Sequence, residues 1–193
     1  KTMNRQMSMR REFGAALSRS IDKLLNTFRE RPHTFLTEDD LRCHLVAELL
    51  KRRCFSEPQA TQDRSISIPV HSEVRWYGES GRLKYRSDVV IVDPESLRVR
   101  EKTLRLPSKG YGFRSALAIV EVKLRRINGE SDEQFSRKIK AEVSRLQKIR
   151  KETHLDRAKY YVLCFDKKRD ISKLIAEHNE NQITLKYQFA NQI

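Results

Sequence analysis

The sequence predicts a mixed α/β fold, a mixed β-sheet with helices on both faces, and three observations predict it. The first is a set of short runs rich in β-branched residues, RSDVVIVD (86–93), LAIVEVKLRR (117–126) and KYYVLCF (159–165). Each has the length of a strand and is bounded by turn formers or charge, as buried strands are. The second is a long helical period between two of them, with Phe135, Ile139, Val143, Leu146 and Ile149 on one face. The third is the order of elements: helices, a meander, a strand, a long helix, a strand, a short helix and a last strand. An antiparallel start followed by strand–helix–strand units gives a mixed sheet covered on both sides.

Taken in order, residues 3–31 place Leu17, Ile21, Leu24, Leu25 and Phe28 at helical spacing among basic residues. They predict an amphipathic helix in two pieces around Gly14. Pro32 breaks it, and Thr37 with Asp40 three residues on forms the pattern of a capping box. The helix that follows runs to about Lys51 with Leu41, Leu45 and Leu49 on its buried stripe, and Glu48 is expected to point along that stripe. Residues 65–77 read as a strand kinked or restarted near Pro69. A turn at Gly78–Gly81 returns the chain into the Asp88 strand. Residues 95–116 form a basic excursion, expected to be a hairpin with a tip at Gly110-Tyr111-Gly112. Asn128-Gly129 turns the chain, Ser131 caps the long helix, residues 171–178 make a short helix, and Ile183–Phe189 alternates as a strand. The expected organisation is an N-terminal basic amphipathic helical segment, 1–36, and a domain over 37–193 carrying the basic insertion.

With 193 residues, 38% hydrophobic and 34% charged, the chain has the composition of a soluble globular protein, not a disordered one. No apolar run approaches the ~20 residues needed to span a bilayer, so no membrane partner is expected. Cys43, Cys54 and Cys164 are odd in number and isolated, which argues against a disulfide framework or structural zinc and suits a reducing cytoplasm. The net charge of +14 suggests a polyanionic partner. Its distribution is uneven. Residues 37–93 carry 9 Lys/Arg against 10 Asp/Glu, while residues 94–126 carry 9 against 3. A basic exterior around an acidic segment suits nucleic acid, most simply DNA, held through its phosphates with a divalent cation at the reacting one. Arg98, Arg100, Lys102, Arg105, Lys109, Arg114, Arg125 and Arg126 are the expected phosphate contacts.

The acidic side chains supply the chemistry. Side chains two apart share a strand face, so Glu121 and Lys123 point the same way, and Asp88 lies beside Glu121 if the two strands pair. Two carboxylates and an ammonium on apolar strands are costly to bury without a purpose. Magnesium takes hard oxygen ligands, few of them from protein, and serves phosphodiester hydrolysis. Asp88 and Glu121 are the expected ligands of Mg²⁺, with Mn²⁺ as substitute, and the Val122 carbonyl is a further one. Lys123 would orient or deprotonate the attacking water, or steady the charge at phosphorus. Glu48 would complete the metal shell. Asp166-Lys167-Lys168 is a rival triplet, expected to be solvated surface, and Glu73 is expected to pair with Arg75 or Lys84.

Asp88 opening VVIVD and Glu121-Val122-Lys123 inside AIVEVKL resemble the PD-(D/E)xK phosphodiesterase superfamily, with its restriction-endonuclease-like fold. The resemblance covers roughly residues 37–165 and includes the order of elements. It implies metal ligation by Asp88 and Glu121, action of Lys123 on the nucleophile, and assistance from Glu48 on the first helix. Ser87 stands where the superfamily's name has Pro. The implied activity is metal-dependent endonuclease cleavage of DNA; the alternative is a non-catalytic nucleic-acid-binding or scaffold protein of the same fold. A homodimer, with two subunits cutting two strands, is left open.

Overall fold

A computed structural model describes residues 2–77, 82–99 and 115–191. Among the described residues five α-helices, α1 (Thr2–Glu30), α2 (Glu38–Leu50), α3 (Arg53–Ser56), α4 (Asp132–Thr153) and α5 (Ser172–Ala176), accompany seven strands. Strands β1 (Gln59–Ala60) and β2 (Ile66–Ser67) form a small antiparallel pair. The main sheet holds β3 (Val70–Tyr77), β4 (Leu83–Val92), β5 (Ala116–Arg125), β6 (Lys159–Asp166) and β7 (Ile183–Phe189) in that order. β3, β4 and β5 are antiparallel; β5, β6 and β7 are parallel, with α4 and α5 as the connections. The mixed sheet with helices on both faces is therefore present.

Each face has its own core. On one side Phe13, Leu17, Ile21, Leu24 and Phe28 of α1 and Leu41, Leu45 and Leu49 of α2 pack on Val120, Val122, Leu163 and Phe165. On the other, Phe135, Ile139, Val143, Leu146 and Ile149 of α4 pack on Ile119, Tyr160, Val162 and Cys164. These are the stripes that the helical spacing demands. Residues 1–36 do not stand apart, since α1 shares a core with α2 and the sheet. The helix is also continuous across Gly14. Gly14 allows close approach: a Cβ there would sit 2.9 Å from the Lys159 ammonium.

Local signals account for the boundaries near the site. Thr37 accepts from the Asp40 N–H while Asp40 accepts from the Thr37 N–H, so the capping box fixes where α2 starts. Ser131 and Gln134 do the same for α4. Pro69 separates β2 from β3, as a residue without an N–H must. The turn at 78–81 and the tip of the basic excursion, with Arg100, Lys102, Arg105, Lys109 and Arg114, lie outside the described residues.

Sequence alternation fails at one place. Val70 belongs to the α1/α2 core, whereas Val74 and Trp76, of the same parity, belong to the α4 core. In β4, Val90 and Val92 face α4, yet Tyr85, of opposite parity, also packs there. Both strands thus exchange faces around Glu73 and Asp88. Glu73 has φ +56°, the left-handed region that a side chain ordinarily avoids, and one such residue reverses the alternation of its strand. Its carboxylate is held by Arg42 of α2 and by Arg86 at 2.8 Å, not by Arg75 or Lys84 as expected. Glu73→Val, which a left-handed backbone disfavours most, is expected to destabilise the fold by about 1–3 kcal/mol. Glu73→Gly should be the milder change, because relaxed backbone offsets the lost ion pairs. Urea denaturation of the two variants checks the order.

Candidate active site

The site forms where β4 leaves β5. Their ladder ends at Val89↔Val120, a register that places Asp88 opposite Glu121. Beyond it, side chains take over the β5 edge. Asp88 Oδ2 accepts from the Val122 N–H at 2.8 Å, and Glu38 Oε1, from the first turn of α2, accepts from the Leu124 N–H at 3.1 Å. Asp88 Oδ1 also lies 3.6 Å from the Arg42 guanidinium. The same departure that frees backbone groups on β5 therefore brings carboxylates to them, as buried N–H groups require.

Glu121 points toward α4 and is 0% exposed. Its Oε2 accepts from Arg145 at 2.5 Å, and the buried Ser87 hydroxyl, which accepts from the Trp76 indole N–H, also hydrogen-bonds the carboxylate. Burial first, then the Asp88 carboxylate and Glu142, push its pKa up to about 8, against the pull of Arg145 in the other direction. Lys123, two residues on, donates to the Val122 carbonyl at 3.0 Å and lies 3.4 Å from Glu142 and 3.5 Å from Glu38. Burial alone would lower its pKa, but Glu142, Glu38, Asp88 and Glu121 outweigh it, and the net direction is up. Lys123 is an ammonium at neutral pH.

A raised carboxylate pKa has a consequence for stability. Unfolded, Glu121 releases its proton near 4.5; folded, near 8. Between these values the folded state binds more protons, so stability is expected to fall as pH rises through that window. Urea midpoints at pH 5 and pH 8.5 should show the decline in the wild type and a weaker one in Glu121→Gln. Equal declines in the two proteins would assign the effect to other groups.

The structure brings Asp88, Glu121, Val122 and Lys123 together, but it does not bring Glu48 to them. Glu48 pairs with Lys51 at 2.5 Å, and its backbone carbonyl accepts from Ser20 of α1. It flanks the Leu41–Leu45–Leu49 stripe on the α1 side, whereas Glu38 and Arg42 flank it on the site side. Spacing along the stripe could not tell these flanks apart.

Arg125 also needs correction. Its side chain is 0% exposed, bidentate to Asp166, bonded to Asp132 at 2.6 Å and stacked 5.3 Å from the Phe135 ring centroid. It cannot meet a phosphate. Asp166 is likewise fully buried and not solvated surface, with Tyr187 donating to it at 2.9 Å. Arg126, the next residue, is exposed, and Arg98 is partly so, bonded to Gln62 at 2.8 Å.

Sequence reasoning missed Glu38, Arg42, Glu142 and Arg145. Arg145 stands off the apolar stripe of α4, where a basic residue is ordinarily solvated, yet it reaches back to Glu121.

Among the described residues no group of three or more His, Cys, Asp or Glu is disposed to hold a metal ion. Two carboxylates and a carbonyl nevertheless fit magnesium, which keeps several waters, better than zinc or calcium, which draw more ligands from protein. No helix among the described residues is long and apolar enough to cross a membrane. Comparison with protein-family models, with curated proteins and with solved structures finds no match.

Proposed function

We propose that the protein is a Mg²⁺-dependent nuclease that hydrolyses phosphodiester bonds of DNA, with Mn²⁺ as a substitute cation. The observation that carries this reading is the fully buried Glu121 carboxylate, which faces Asp88 across the end of the β4/β5 ladder and is pushed toward its protonated form by it. Two acids so close are unfavourable without a cation between them or a proton on one.

Asp88, Glu121 and the Val122 carbonyl would hold the ion. When bound, it supplies charge neutralisation at the phosphate and lowers the pKa of water. Lys123 serves as a fixed positive charge beside that carbonyl and stabilises the charge that develops at phosphorus. It is an ammonium, so it does not act as the base. Arg126, exposed just past the end of β5, together with the basic excursion at 95–116, supplies contacts to the DNA backbone. The free thiols Cys43, Cys54 and Cys164 suit a reducing compartment such as the cytoplasm.

A second reading has one specific observation in its favour. Arg145 already neutralises Glu121, and the Lys123 ammonium rests on the Val122 carbonyl, so the acids have internal counter-ions. A non-catalytic nucleic-acid binder of the same fold would look this way. The test is incubation with duplex, single-stranded and branched DNA, with Mg²⁺ and with chelator. Cleavage with Mg²⁺ alone supports the nuclease; binding that survives chelator with no cleavage on any substrate supports the binder.

A further inference from the structure

Four charged side chains of β5 and α4, Glu121, Lys123, Glu142 and Arg145, meet in one network of ion pairs. Charges taken out of water are costly unless paired, so each member of this group is held by the charge of its neighbours. Glu121 is fully buried and meets the group through its Oε2, at Arg145.

Glu142 is the hub. Its Oε1 lies 3.4 Å from the Lys123 ammonium, and its Oε2 lies 2.5 Å from the Arg145 guanidinium, which in turn contacts Glu121 Oε2 at 2.5 Å. Glu142 and Arg145 are three apart on α4, beside the apolar stripe that presses the helix onto the sheet, so one rigid element presents both. Lys123 has a second acidic neighbour in Glu38, but the two are unequal. The Glu142 side chain is 15% exposed and Glu38 45%, so water and salt screen Glu38 more. A lysine has four rotatable bonds and a compact charge, and needs such an anchor to hold one position.

We propose that Glu142 is a positioning residue, whose carboxylate fixes the Lys123 ammonium at the Val122 carbonyl and the Arg145 guanidinium at Glu121. The charge geometry of β5 is thereby set from α4. The role in catalysis rests on the nuclease reading; the role in placing Lys123 does not.

Two measurements test it on the full chain. The first is the ¹H–¹⁵N signal of the Lys123 ammonium at low temperature, assigned by its loss in Lys123→Arg. It should be visible in the wild type, broadened away in Glu142→Gln and intermediate in Glu142→Asp, which keeps the charge on a shorter arm. The second is cleavage with Mg²⁺, where Glu142→Gln should lose roughly tenfold to 100-fold in kcat, the cost of a misplaced group, with KM for DNA within about twofold of wild type. An unchanged Lys123 signal in Glu142→Gln overturns the proposal, as does a rise in KM at constant kcat. Loss of the signal in a protein that cleaves no DNA supports the placement of Lys123 and ends the nuclease reading instead. If Glu142→Gln does not fold, Glu142→Asp carries the comparison, and a wild-type signal with wild-type kcat there overturns the proposal.

Discussion

Lys123→Ala and Asp88→Asn are each expected to reduce Mg²⁺-dependent DNA cleavage by roughly 100-fold to 1,000-fold, the cost of removing one preorganised charge from a transition state. Neither loss should come from unfolding. Lys123 is offset from the apolar stripe of either core, and Asp88→Asn removes a negative charge from beside a buried one. That substitution should therefore leave the melting temperature level or raise it. It should also return the Glu121 pKa toward the ordinary carboxylate range, since Asp88 is the largest charged contributor to its elevation. Wild-type rates in both variants, measured on the substrate that the intact protein cleaves fastest, would falsify the assignment of the reaction to this group.

The second large effect concerns stability. Arg125→Ala is expected to destabilise the fold by about 3–5 kcal/mol, because it strands the fully buried Asp166 carboxylate without its guanidinium. Tyr187 and the Lys168 N–H remain as neutral donors to Asp166, which cannot replace a guanidinium. Arg126→Ala, one residue later and exposed, should change stability by no more than about 0.5 kcal/mol. Denaturation of both variants separates the two arginines. Should Arg125→Ala melt like the wild type while losing affinity for DNA, the buried ion pair would be the wrong account of that residue.

These two arginines show where the sequence could be read and where it could not. Alternation along LAIVEVKLRR assigns odd positions to one face, so Arg125 follows Glu121 and Lys123 onto the α4 side. Nothing in the strand itself announces that Asp166 and Asp132, 41 and 7 residues away, converge there to neutralise it. Basic residues at the end of a strand look like surface until their partners are known. The elements themselves were legible, because their signals are local: the Thr37 and Ser131 caps, Pro69, the period of α4 and the alternation at 183–189 all act within a few residues. The core of the site was legible for the same reason, since Glu121 and Lys123 need only a two-residue spacing to share a face. Its surroundings were not. Glu38 reaches the site from a helix end, and Glu142 and Arg145 from the edge of a stripe. For each, the deciding fact is a distance in space between elements far apart in the chain. Glu48 and Glu38 differ by which flank of the α2 stripe they occupy, and only the packing of α1 decides that α1 takes one flank and the site the other.

The exchange of faces at Glu73 and Asp88 ties the acid's position to the hydrophobic layers on both sides of the sheet. On one side of the crossover Val70, Val89 and Ile91 feed the α1/α2 layer while Val90 and Val92 feed the α4 layer; beyond it the parity reverses, and Val74, Trp76 and Tyr85 face α4. Deleting one residue within Val89–Val92 would shift Asp88 against β5 and exchange the faces of Val89 and Ile91 with those of Val90 and Val92, disturbing both layers together. A variant that lost the acid by such slippage would lose packing on both sides of the sheet in the same step.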